Sequence, residues 1–173
     1  HVKGRISADD AARQQRTAAE ILRRLNHQPG LILADEVGMG KTFQALAVIT
    51  EQFRQKTDSK VLVITPRKEV LNQWKEEEYN EFREKHLLDI EETFLPKNDD
   101  INIQEVWNFR NGLLAENPNA KIVFAKATSF STEENLDEKK GQKDFRRDQL
   151  IKDIKMFDLI VVDEAHKFRN YDE

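Results

Sequence analysis

An α/β fold, with a mostly parallel sheet flanked by helices, is predicted for this chain by three observations. First, short runs of aliphatic and β-branched residues recur along it, at 31–34, 61–64, 122–125 and 159–162. Each run is continuous rather than alternating, the pattern of a strand covered on both faces. Second, the stretches between the runs carry apolar residues at helical spacing, and strands alternating with helices build a parallel sheet. Third, the first run leads into Gly38-Met39-Gly40-Lys41-Thr42, where a strand would hand over to a helix. A length of 173 residues suits one domain with a sizeable core.

The elements follow in order. Ser7-Ala8-Asp9-Asp10 reads as a helix start, its carboxylates favourable at the positive end of the dipole. Ala11, Ala18, Ile21, Leu22 and Leu25 then share one face, and Pro29-Gly30 turns the chain into the strand at 31–35. Phe43, Leu46, Ala47 and Phe53 mark a second amphipathic helix. The strand at 61–64 is stopped by Pro66, and Val70, Leu71, Trp74 and Phe82 form another helical stripe. Residues 87–95 have room for a short strand, and Ile103, Val106, Trp107 and Leu113 suggest a helix ending near Asn117-Pro118. A strand at 122–125 comes next, then a charged loop over 131–143. A helix with Phe145, Leu150, Ile151 and Ile154 leads to a fourth buried strand at 159–162.

Composition narrows the classes of function. Charged residues are 35% of the chain and the net charge is -4, so a generally basic nucleic-acid coat is excluded while a local groove is not. The absence of cysteine rules out disulfides and thiolate metal sites and suits a reducing cytosol. No apolar run reaches the length of a membrane span, and no secretory signal is visible, so a membrane partner is not expected. A start at His1 and a stop at Tyr171-Asp172-Glu173 give the expectation of a fragment of a longer protein.

Two stretches carry chemistry. Glycines at 38 and 40 lack a Cβ, so backbone N–H groups can approach an anion closely, and a helix beginning near Lys41 aims its positive end at the same point. Lys41 would reach the β- and γ-phosphates of a nucleotide and the Thr42 hydroxyl would ligate Mg²⁺. The expected phosphate-binding residues are therefore Val37, Gly38, Met39, Gly40, Lys41 and Thr42. A plain glycine turn with an incidental lysine is the competing reading, and the strand before and helix after weigh against it. The full phosphate-loop pattern wants glycine at position 35, where this chain has Asp35-Glu36.

The second stretch is "FDLIVVDEAHKFRN" at 157–170. Asp163 and Glu164 stand where a strand ends, and adjacent carboxylates there are relieved by a cation. Asp163 is expected to hold Mg²⁺, mainly through water, and Glu164 to orient and deprotonate an attacking water. A helix N-cap is the ordinary alternative for such acidic residues. His166 is a candidate for coupling, against the structural or solvated role common for a histidine just past a strand.

These stretches resemble motifs I and II of superfamily 2 helicases. "DEVGMGKT" looks like the Swi/Snf branch and its bacterial RNA-polymerase-recycling relatives, which carry Asp-Glu where the first glycine would stand. "VLVITPRKEVLNQW" (61–74) is similar to motif Ia, with Pro66 to Trp74 one residue longer than the family spacing, and "KATSF" (126–130) to the Ib region. The resemblance implies the N-terminal RecA-like ATP-binding lobe, a P-loop NTPase fold here spanning 1–173. It implies ATP and Mg²⁺ as cofactors, with Lys41, Asp163 and Glu164 catalytic. It also implies adenine recognition by Gln15 (Gln14 being the close alternative) and nucleic-acid backbone contacts from Thr65, Pro66, Arg67, Thr128 and Ser129. Expected partners are nucleic acid, double-stranded DNA ahead of RNA, and a second RecA-like lobe supplying arginine fingers. The strand of motif III would follow Glu173, and its slot in the sheet is expected to be open. The function so implied is DNA-dependent ATP hydrolysis driving translocation or remodelling, in the bacterial cytoplasm near the nucleoid or in a eukaryotic nucleus. An RNA helicase, a restriction or defence motor, and a nucleotide-regulated binding module remain the alternatives.

Overall fold

The computed structural model describes residues 8–34, 40–85, 94–104, 117–127 and 148–165, together with 87, 91 and 113. In chain order the elements are α1 (Ala8–Leu25), α2 (Lys41–Gln55), β1 (Val61–Thr65), α3 (Lys68–Asn72), a π-helical segment (Gln73–Tyr79) and α4 (Asn80–Lys85). A 3₁₀ turn (Asn98–Asp100), β2 (Ile101–Gln104), β3 (Ile122–Lys126), α5 (148–154) and β4 (Leu159–Val162) follow. The chain divides into two compact units, His1–Thr57 with Trp74–Leu95, and Asp58–Gln73 with Pro96–Glu173.

In the first unit α1 packs on α2. Asp9 and Asp10 sit in the first turn of α1 and Arg23 and Arg24 in its last, each sign matched to its end of the helix dipole. Glu20 accepts hydrogen bonds from Arg23 Nε at 2.7 Å and Nη2 at 2.8 Å, and from Arg24 Nε at 2.7 Å. The Arg23 hydrogen bonds, then those from Arg24, hold its carboxyl down at about 2. Helix α2 turns Leu46, Val48, Ile49 and Phe53 inward, and the Thr50 hydroxyl donates back to the Leu46 carbonyl at 2.9 Å.

In the second unit the described strands form one sheet of order β2-β3-β1-β4, with every pairing parallel. Helix α3 packs on β1 and β3. Leu62, Leu113, Ala120, Val123 and Ala125 make a buried cluster, with Ile64, Leu150 and Phe157 against it. Hydrogen bonds fix where the strands begin. Lys60 N donates to Asp158 Oδ2 at 2.9 Å and Asp158 N returns a bond to the Lys60 carbonyl at 2.8 Å. Buried Asp153 accepts from Leu113 N at 3.0 Å and Gln149 Nε2 at 2.7 Å, tying α5 to the chain ahead of β3.

The α/β class and the parallel sheet agree with the sequence reading; several elements differ from it. Residues 31–34 form no strand: their exposure alternates and Ile32 is 87% exposed. A run becomes a strand only where its N–H and C=O groups meet a ladder, and among the described residues this one meets none. The run 159–162 is a strand, but among the described residues it pairs with β1 alone, and Val162 is 42% exposed instead of buried. Where a helix was expected from Ile103 onward, Ile101–Gln104 forms β2. Its β-branched residues alternate with polar ones at the strand period, and Asn102 Nδ2 donates to the Leu113 carbonyl at 3.3 Å. The described residues between 87 and 95 hold no strand. On α5, Ile151 faces solvent while Asp153 takes the inward position. Phe145 and the loop 131–143 lie outside the described residues.

Candidate nucleotide site and nucleic-acid face

The Gly40 turn is built in three steps. Gly40 takes φ 76° and ψ 32°, the left-handed conformation that glycine adopts without a Cβ penalty. Its carbonyl then accepts the first bond of α2, from Gln44 N at 3.0 Å. No side chain caps the helix, so the first turn presents Lys41 and Thr42, both half-buried, at a positive helix end. The side chain of Gln14 on α1 lies directly against Gly40: a Cβ there would come within 2.8 Å of Gln14 Cδ. A residue other than glycine would thus force the end of the Gln14 side chain to shift, besides straining the backbone at this φ. Val37, Gly38 and Met39 lie outside the described residues.

Of the two adjacent glutamines, Gln14 is the one drawn into this turn, while Gln15 is exposed. The sequence reading put Gln15 first. Successive residues on a helix point about 100° apart, so only one of the pair can face α2.

The second candidate set stands at the carboxyl end of the sheet. In the parallel register Ile64 lies opposite Val162, and Thr65 opposite Lys126, so the turns after β1, β3 and β4 leave from one end. Asp163 N donates to the Ile64 carbonyl at 2.9 Å, extending the β4–β1 ladder by one bond and fixing where the carboxylate starts. Glu164, exposed, takes φ 52°, and no other non-glycine residue among those described has a positive φ. Strain of this kind gathers at functional turns.

Motif Ia is split by burial. Thr65 is fully buried and its hydroxyl donates to the Arg67 carbonyl at 3.3 Å, and Pro66 is buried beside it. Arg67 is exposed and extended at the start of α3. Thr65 therefore shapes the turn, and Arg67 is the residue of the three that meets solvent. Lys126, half-buried at the end of β3, is a basic residue at this same end that the sequence reading did not single out. Its place at the head of "KATSF" was the available signal. Thr128, Ser129 and His166 lie outside the described residues.

Among the described residues, no three histidine, cysteine or carboxylate side chains gather as a metal site. A groove of about 330 Å³ in the first unit, walled by Arg16, Glu20, Arg24 and residues 31–33, contains none of the candidate residues. No helix among the described residues is long and apolar enough to cross a membrane.

The chain matches, over residues 9–172, the family model described as "Type III restriction enzyme, res subunit". It is also similar to the RNA polymerase-associated protein RapA of Pseudomonas fluorescens, with 36% identity over 92 residues, 53% of this chain and 9% of the relative. RapA of Sodalis glossinidius is 38% identical over 69 residues, 40% of this chain and 7% of the relative. The chain thus covers less than a tenth of the length of these curated relatives. No solved structure gives a significant match. With its all-parallel sheet, a match across nearly the whole length makes this chain a member of the family described as type III restriction enzyme, res subunit, a RecA-like lobe of the superfamily 2 kind.

Proposed function

We propose that this chain is the ATP-binding lobe of a nucleic-acid-dependent ATPase, in which hydrolysis drives movement along duplex DNA. The observation that carries the reading is the Gly40 turn. A left-handed glycine, an uncapped helix start and a Lys-Thr pair stand together, with a glutamine side chain laid against the glycine. The backbone of residues 37–40 and the ammonium of Lys41 would bind the phosphates, and the Thr42 hydroxyl would be a ligand for Mg²⁺, a role the sequence also gives Asp163. Bound Mg-ATP supplies an electrophilic γ-phosphoryl group and a cation that takes up developing charge. Glu164 orients water for attack and accepts its proton. Gln14 is favoured over Gln15 as the reader of adenine, because its side chain is already in the turn. Arg67 and Lys126 meet phosphates of the nucleic acid, the role the sequence also gives Thr128 and Ser129, and such contacts position a strand without reading its sequence. Binding is accordingly weak, non-specific and steeply salt-dependent for this chain alone. His166 relays the state of the nucleotide.

A second lobe completes the motor, since an arginine finger is worth about 10³–10⁵ in rate. Alone, the chain binds Mg-ATP weakly and turns it over very slowly. The similarity to RapA favours a bacterial cytoplasmic setting and, as a second reading, association with RNA polymerase; the family description favours a restriction motor instead. Stimulation of the longer protein's ATPase by bare duplex DNA, against stimulation only in the presence of polymerase, separates them. The direct test is Lys41→Ala. Removing the amine leaves the inward face of α2 intact, so the melting curve stays put while Mg-ATP binding disappears in calorimetry. Unchanged affinity in the variant would refute the phosphate cradle.

A further inference from the structure

Gly40, the N-cap of α2, has no side chain with which to bond the first turn, and such a helix start frays unless packing holds it. Phe43 follows Lys41 and Thr42 directly, and its ring stacks on Phe82 of α4 with centroids 6.0 Å apart and planes at 24°. Phe82 is buried and Phe43 half-buried. The Gln14 side chain of α1 thus lies against Gly40, and the turn that follows it is held from α4 by Phe82.

What brings Phe82 inward is unusual. Trp74 and Tyr79 are both buried and stand five residues apart. Five residues of α-helix turn through about 500°, leaving such a pair about 140° apart on the surface. The segment Gln73–Tyr79 is π-helical, and i→i+5 bonding brings residues five apart back to one face. Phe82, three residues after Tyr79 and back in α-helix, then falls inside as well. Seven residues of π-helix are a costly choice for a chain, found mostly where function needs a shifted register.

We propose that Phe82 is a positioning residue for the nucleotide site. Through its stack on Phe43 it fixes the first turn of α2, and so the placement of Lys41 and Thr42, and the π-helical segment is the register shift that delivers it. The consequence for nucleotides rests on the phosphate-cradle reading; the consequence for the helix start does not.

Two measurements on the 173-residue chain keep these apart. Phe82→Leu retains an apolar side chain but removes the ring. By amide hydrogen exchange, the Gln44 amide should exchange about tenfold faster in this variant, with Leu62 and Val123 amides unchanged and protection restored in Phe82→Tyr. By NMR titration with Mg-ADP, followed at the Lys41 and Thr42 amides, Phe82→Leu should bind about three- to tenfold more weakly, again restored by tyrosine. The double variant with Phe43→Leu should be no weaker than either single one. Unchanged exchange at Gln44, or acceleration at Leu62 and Val123 as well, overturns the positioning role. If Phe82→Leu does not fold, Phe43→Leu gives the same reading at Gln44 from the more exposed ring. Failure of the wild-type chain to bind Mg-ADP, or binding untouched by Lys41→Ala, would instead sink the cradle while the Gln44 result stands.

Discussion

Two described residues adopt positive φ, and they stand at the two motifs: Gly40 at 76° in the first unit and Glu164 at 52° in the second. The turns solve one geometric problem in opposite ways. At Gly40 the residue is the one the backbone wants, and the absent Cβ leaves room for Gln14. At Glu164 the residue is the one the proposed chemistry wants, and the backbone carries the cost, about 1–2 kcal/mol for a residue with a Cβ in this region. A turn that binds through main-chain N–H groups can give up its side chain. A turn that must present a carboxylate cannot.

The largest effect should come from making the first turn resemble the second. Gly40→Ala adds a Cβ at positive φ, so stability falls by about 1–2 kcal/mol from the backbone alone. The new carbon also meets the end of the Gln14 side chain, which must shift. Nucleotide affinity should drop by more than about tenfold, since main-chain donors and Lys41 both depend on that turn. Urea melts and Mg-ADP titration of the variant measure the two losses separately. An alanine variant that binds as tightly as the wild type would mean the left-handed turn is not part of a cradle.

The same contrast explains what could be read from the sequence. The turn at Gly40 and a helix start near Lys41 were legible because the residue types themselves encode the geometry. The strain at Glu164 was not, because nothing in a Glu codon position reports φ. The runs 31–34, 61–64 and 159–162 look alike, yet among the described residues one has no ladder, one is central and one stands at the edge. Hydrophobicity reports that a run is apolar, not which neighbours flank it, and strand order is a property of the whole chain. The split of motif Ia has a similar cause: Thr65 and Arg67 are both plausible phosphate contacts by type, and only packing decides that the threonine turns inward. The π-helical segment was not legible either, because the burial of both Trp74 and Tyr79 becomes visible only in the packed chain.

A smaller effect, of opposite sign, should follow from making the second turn resemble the first. Glu164→Gly relieves the positive φ but adds freedom to the unfolded chain, for a net gain of about 0.5–1 kcal/mol. Turnover by the proposed two-lobe motor should be lost at the same time, since the proposed base has gone. Stability rising as activity falls is the signature of strain kept for function. Chemical denaturation of the chain reads the first part, and a loss of stability in the glycine variant would show that Glu164 is held by favourable contacts instead.

The smallest effect tests whether the Gly40 turn depends on the surface of α1, which carries Gln14. Glu20 lies six positions along that helix, its carboxyl held at about 2 against an ordinary 4.5, chiefly by the Arg23 hydrogen bonds and then by Arg24. A carboxyl depressed on folding contributes stability that is fully present above its ordinary value and is lost as pH falls through about 2. Because the group is exposed, solvent and salt screen the contribution, and it should be slight even at neutral pH. Glu20→Gln should therefore melt slightly below the wild type near neutrality. The gap should narrow below pH 4.5, close near pH 2, and shrink in high salt. A gap that persists in strong acid would mean that Glu20 acts by packing. Mg-ADP affinity should not move in this variant, because Gly40 takes its conformation from its own backbone and needs from α1 only that Gln14 stay on its face. If affinity did fall with the Glu20 cluster, the first turn would be held by α1 as a whole, and the contrast with Glu164 would be one of support as well as of residue type.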